Sequence, residues 1–253
     1  MRYEEYAPAP DLKRWITCHW VFAVPPDVGP LQHVAPPDGT VTFAYVRRIR
    51  TVILVGPALD ALKRKVFPAD EFWGVRFEPG VSGPLFGMDI PKIRGVVTPL
   101  KFLLPGLAAG LNDGLGKARS AEEAAGVFED AVQGLNPSEP DLAIVRAARS
   151  LVESSGSTPI AKLAADAQLS ERQFRRRFHA AIGLLPKEFA RVRRARAALV
   201  QMLSDPHERL TEVAAGGGYA DQSHLTREFV TVFGGPPVSV AERLKRIRHI
   251  NAW

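Results

Sequence analysis

SERQFRRRFHAAIGLLP, residues 170–186, and DQSHLTREFVTVFGGPP, residues 221–237, are two copies of one pattern. At a constant offset of 51 residues, Phe174 falls over Leu225, Arg176 over Arg227, Phe178 over Phe229, Gly183 over Gly234 and Pro186 over Pro237. Agreement in polar, apolar, glycine and proline positions together marks an internal repeat. Each copy reads as one helix. Ser170 is a good N-cap with Gln173 placed to complete a capping box, and Asp221 opens the second copy. Phe174 and Phe178 lie one turn apart on a buried stripe, and Arg172, Arg175, Arg176 and His179 point away from it. In the second copy Leu225 and Phe229 face inward, while Ser223, Thr226 and Arg227 face outward. Gly183 and Gly234 stand where a left-handed residue ends a helix.

A short apolar helix and a tight turn precede each copy. The first is TPIAKLAADAQL from Thr158, with Thr158 as N-cap and Pro159 at the first helical position; the second is LTEVAAGGGYA from Leu210. Two short helices with a tight turn, the second carrying polar and basic side chains outward, form the helix-turn-helix plan, whose second helix lies in a DNA major groove. Arginine suits that face because its planar fork reaches guanine O6 and N7 together, and Gln222, Ser223 and Thr226 can pair with other base edges. PKEFARVRRARAALVQMLSD, residues 186–205, joins the copies. As a helix it spans ~25–30 Å, close to the ~34 Å of one DNA turn. Its stripe is Phe189, Val192, Leu199 and Leu203. Arg191, Arg193, Arg194 and Arg196 around it are read either as phosphate contacts or as a solvated face.

The chain has 253 residues and a net charge of +6. Residues 1–140 hold 15 basic and 16 acidic side chains, against 18 and 11 in residues 141–253. A basic half beside a neutral one reads either as a half that meets a polyanion or as a solvated basic surface. No run of about 18 apolar residues reads as a membrane span. A polar, proline-rich N-terminus and a single cysteine, Cys18, point to a cytoplasmic protein.

Residues 1–100 read as β-rich. GTVTFAYV sets Val41, Phe43 and Tyr45 on one side, TVILVG is a short apolar run, and FWGVRFEPG sets Trp73, Val75 and Phe77 against Gly74, Arg76 and Glu78. Pro/Gly clusters separate these runs, as in a barrel or sandwich. Two helices follow Pro99, with a break read at Asn112-Asp113-Gly114, and NPSEP at 136–140 reads as a linker. The expected fold is α+β. Residues 1–135 make a β-rich sensor domain with a helical tail, and residues 136–253 make an all-α DNA-binding domain.

VAAGGGYADQSHLTREFVTVFGGPP, from Val213, resembles the signature of the AraC/XylS family of bacterial transcription regulators. The resemblance covers residues 141–248. It implies seven helices with two recognition helices, about 171–181 and 222–232, reading adjacent major-groove segments of double-stranded DNA. It carries base contacts to Arg172, Arg175 and Arg176, and to Gln222, Ser223, His224, Thr226 and Arg227. His224 also reads as a structural or capping residue. Leu225 replaces the usual aromatic. AAGGG makes the preceding helix glycine-rich, which costs about 1 kcal/mol per glycine against alanine. More loosely, residues 1–100 resemble the cupin-like β-barrel sensor of such regulators. That likeness rests on CHW near Trp20, PPDG near Asp38, and GVRFEPG with LFG between Gly74 and Gly87.

Trp20, Phe43, Tyr45, Trp73 and Arg76 are the candidate effector-pocket residues, although aromatics of this kind also simply fill a barrel core. His19 and His33 lack metal-ligand spacing, so neither a metal nor another cofactor is expected. The reading is a regulator and not an enzyme. Its partners are DNA, a small effector, RNA polymerase and a second copy of the chain. Two alternatives stand beside it: a cupin-type enzyme fused to a DNA-binding domain, or an N-terminal domain that only contacts proteins.

Overall fold

The computed structural model describes residues 1–250. In chain order its elements begin with β1 (Arg2–Tyr6), β2 (Ile16–Ala23), β3 (Leu31–Ala35), β4 (Thr42–Val46), β5 (Thr51–Val55), β6 (Leu62–Val66) and β7 (Glu71–Phe77). After α1 (Ser82–Phe86) and β8 (Val97–Pro99) come α2 (Pro105–Lys117) and α3 (Ala121–Gln133). The C-terminal helices are α4 (Leu142–Glu153), α5 (Ile160–Asp166), α6 (Glu171–Ile182), α7 (Pro186–Ser204), α8 (Leu210–Gly216), α9 (Gln222–Phe233) and α10 (Pro237–Lys245), followed by β9 (Arg248–Ile250). The fold class is α+β, with seven helices from Leu142 to Lys245 as the family resemblance implies.

The strands form an open seven-stranded sheet, ordered β8-β5-β4-β7-β2-β1-β9, and a separate β3–β6 ribbon. No hydrogen-bonded closed barrel forms among the described residues; ribbon and sheet instead face each other across a cavity. The central strands are buried on both faces, and their period of two sorts side chains into two cores. Phe43, Tyr45, Val52, Leu54, Trp73, Val75 and Phe77 face α2 and α3, and pack on Leu111, Leu115 and Phe128. Ala44, Ile53 and Phe72 face the other way, into a core shared with Ala195, Leu199, Phe229 and Leu244 of the C-terminal helices. A third core, around Phe174, Phe178 and Phe189, belongs to the first helix-turn-helix unit. Parallel pairing of β9 with β1 returns the chain end to the sheet. The sequence beyond residue 250, the end of the expected second domain, lies outside the described residues.

The break read at Asn112-Asp113-Gly114 is not there. Helix α2 runs through it to Lys117. Asn112 faces the sheet, where its side-chain oxygen accepts from the Val52 N–H at 2.8 Å. Gly114 is required by packing, because a Cβ there would meet Val127 of α3 at 2.7 Å. Polar and small residues that usually mark a turn are used here for a helix contact.

Candidate nucleic-acid interface and the cavity behind it

Both outward-facing helices form as the repeat dictates. The Ser170 side chain accepts from the Gln173 N–H, and Gln173 returns to the Ser170 backbone, completing the capping box. The Asp221 carboxylate accepts from the His224 N–H at 2.7 Å and faces the positive pole of α9. Gly183 (φ 81°) and Gly234 (φ 72°) end α6 and α9 in the left-handed region. Phe174, Phe178, Leu225 and Phe229 are fully buried, and the Phe174 and Phe178 rings sit 5.6 Å apart. Two details differ from expectation. Pro159, not Thr158, is the N-cap of α5, and the Thr158 hydroxyl instead donates to Ser154 at 2.8 Å. Of the AAGGG glycines, only Gly216 lies in α8; Gly217 and Gly218 (φ 70°) build the turn, so the glycine cost in that helix is smaller than the sequence implies.

Arg172, Arg175 and Arg176 are exposed on α6, as are Gln222, Ser223 and Arg227 on α9. None of these three α6 arginines forms an ion pair among the described residues. The neighbouring Arg177 is engaged, its Nε and Nη2 donating to the two oxygens of Asp141 at 2.7 and 2.8 Å. Thr226 is half-buried and its hydroxyl donates back to the Gln222 carbonyl at 2.9 Å. His224 is half-buried, edge-on to Tyr219, and its Nδ1 accepts from the Ala220 N–H at 3.4 Å. That placement serves the turn more than the outer face. The joining helix α7 has 19 residues, or ~28 Å. It is locked to α9 by Glu228, which accepts from Arg194 and from the Tyr219 hydroxyl at 3.0 Å.

Not all the α7 arginines point to solvent. Arg196 is buried, and Arg193 donates to the Asp38 carbonyl at 3.3 Å. They meet a cluster from the sheet domain in which Arg76 pairs with Glu5 and Asp38. Asp38 also accepts from the Thr40 hydroxyl at 2.7 Å. Sequence reading assigned Arg193 and Arg196 to DNA phosphate or to water; a charged run on a helix carries no mark of which charges an acidic partner from another domain covers. Burial alone would raise the Asp38 carboxyl, but Arg76, Arg196 and the Thr40 bonds outweigh it and hold it at about 2. Burial first, and the like charge of Arg196 second, push Arg193 down to about 10.

Above this cluster lies a cavity of about 180 Å³ between sheet, ribbon, α7 and α10. Its wall is largely apolar and includes Phe22, Ala44, Ile53, Leu62 and Leu244, with Arg76 and Arg196 at the charged end. Of the expected pocket residues, Trp20 and Arg76 line it. Phe43, Tyr45 and Trp73 do not. They lie on the opposite face of the sheet, at most 2% exposed, as core packing.

Residues 163–243 match the family model of a helix-turn-helix domain, and residues 4–99 match that of a domain of unknown function (DUF6597). No curated protein sequence matches the chain. Among solved structures, an apo ToxT variant from Vibrio cholerae strain SCE256 is 9% identical with a TM-score of 0.50, over 90% of this chain and 97% of that one. ToxT from Vibrio cholerae O395 is 12% identical with a TM-score of 0.46, over 88% and 96%. Unsaturated fatty acid bound wild-type ToxT from strain SCE256 is 10% identical with a TM-score of 0.46, over 90% and 95%. At such identities the likeness speaks to fold alone. The first of them extends it across both the sheet domain and the helical domain.

Proposed function

We propose that the chain, whose residues 163–243 match a helix-turn-helix domain, is a sequence-specific transcription regulator of the AraC/XylS kind whose helices α6 and α9 read adjacent major-groove segments under control of a small molecule in the cavity. In this reading residues 1–135 sense and residues 136–253 bind DNA, in the cytoplasm and without catalysis. The observation that carries it is the pair of capped helices on one rigid joining helix. One presents Arg172, Arg175 and Arg176 to solvent, and the other presents Gln222, Ser223 and Arg227. Selection of duplexes from a randomised library by the full chain tests it. A preferred sequence is expected, and affinity for it falls on the order of 100-fold or more between 50 and 200 mM salt. Binding without sequence preference contradicts the reading.

The effector class follows from charge. At the end of its apolar wall the cavity is lined by the guanidinium groups of Arg76 and Arg196 and by Asp38. An apolar wall that ends at guanidinium groups suits an apolar molecule with an anionic head. Decanoate at saturation is expected to raise the melting temperature by about 3 °C or more, and decanol to raise it less. Equal shifts remove the anionic head from the reading. The absence of any shift with either favours an N-terminal domain that works through protein contacts.

A further inference from the structure

The chain between β5 and β6 has two faces with different neighbours. On one face Gly56, Ala58, Asp60, Leu62 and Arg64 line the cavity. On the other, the intervening residues reach both helix-turn-helix units in turn. Pro57 lies against Gly183 at the end of α6, where an added Cβ would come within 2.9 Å of its Cγ. Leu59 packs into the core of the first unit. Ala61 is buried in the core shared with the second, and its N–H donates to the Val232 carbonyl in the last turn of α9 at 2.8 Å. Lys63 reaches over Gly234, where an added Cβ would lie 2.9 Å from the ammonium nitrogen. This is the alternation of an extended segment, interrupted by a bend at Leu59–Asp60.

The contacts at α9 are those a helix end requires. The last four carbonyls of a helix have no partner within it, and the Ala61 N–H satisfies one of them. The Lys63 ammonium sits at the negative pole of the same helix. Helix α7 already joins the two units on one side. From this geometry we propose that Gly56–Arg64 is a second strut, which fixes the relative placement of the two DNA-reading helices by holding their C-terminal ends, with Leu59 and Ala61 as positioning residues. The inference rests on the reading of α6 and α9 given above. It adds residues remote from DNA that set which half-site spacing the protein accepts. The back of the strut is cavity wall, so a molecule seated there presses on the element that ties the two units.

Inserting one base pair between two half-sites shifts one of them by ~3.4 Å and rotates it by ~35° about the duplex axis. The test uses the full chain, its selected duplex, and that duplex with one base pair inserted between the two halves. The wild-type chain is expected to bind the inserted duplex roughly 30-fold more weakly. Leu59→Ala, which withdraws the wedge from the first unit, is expected to reduce that penalty to under about 5-fold, with Leu59→Met restoring it. A merely structural role for Leu59 lowers affinity for both duplexes by one factor and leaves their ratio unchanged; that result overturns the strut. If Leu59→Ala does not fold, the exposed Lys63→Ala decides: a ratio equal to wild type overturns the strut, and a reduced ratio supports it. Failure of the wild-type chain to select any duplex refutes the reading of α6 and α9 and the strut with it, so the two failures are distinguishable.

Discussion

Asp38→Asn is expected to cost the folded chain about 3–5 kcal/mol, the penalty for removing one partner from a buried ion cluster. The shape of the side chain is kept, so packing is not the cause. Arg76 and Asp38 are only 13% and 14% exposed as side chains, and Arg196 is buried. With the carboxylate gone, Arg76 keeps Glu5 but loses its second carboxylate partner, in a place largely shielded from water. The cluster joins the sheet domain to α7, so the loss falls on the contact between them. Urea unfolding should show it as a lower midpoint. A variant within about 1 kcal/mol of wild type would show that the cluster contributes little. The pH dependence has a defined sign. The carboxyl sits at about 2 in the folded chain, below its ordinary 3.8. Its contribution is therefore complete above the ordinary value and is lost as pH falls through the folded one. Wild type should lose about 2–3 kcal/mol of its advantage over Asp38→Asn between about pH 4 and pH 2, and show the full difference at neutral pH.

The helix-turn-helix half was legible because everything that specifies it is local. N-caps, the buried stripe and the C-terminal glycines lie within a dozen residues of each other, and the second copy confirms the first. The sheet half was legible as strands but not as a site. Alternation in GTVTFAYV and FWGVRFEPG separates two faces correctly, yet both faces are buried. Nothing in the alternation says that Phe43, Tyr45 and Trp73 face helices while Ala44 and Arg76 face a cavity. The charged cluster was invisible for a different reason. Glu5, Asp38, Arg76, Arg193 and Arg196 are scattered along the chain, and only folding brings them together. Arg76 was singled out as a pocket residue, and Arg193 and Arg196 as phosphate contacts or a solvated face, yet the carboxylates that Arg76 meets are the chain's own. The segment GPALDAL, residues 56–62, looks like an ordinary turn. Its two-faced role depends on helices more than a hundred residues away.

Arg176→Ala and Arg227→Ala are each expected to cost about 1–3 kcal/mol in DNA affinity, roughly 5- to 150-fold. Both side chains are exposed at equivalent places in the repeat, so removing them leaves the fold untouched. They lie on separate helices, and their effects should add. Arg177→Ala is the internal control. Its guanidinium is held by Asp141, so it is expected to alter stability more than base preference. The first unit has the denser arginine face and is expected to supply more of the salt-dependent attraction. The mixed polar face of α9 is expected to contribute more of the discrimination.

The most direct measurement is the affinity of the wild-type chain, Arg176→Ala and Arg227→Ala for every single-base-pair variant of the selected duplex. If α6 and α9 each read one segment, Arg176→Ala flattens base preference in one segment and Arg227→Ala in the other, with the two about one helical turn apart. Flattening of the same positions by both variants, or uniform weakening with all preferences intact, would contradict two-helix reading.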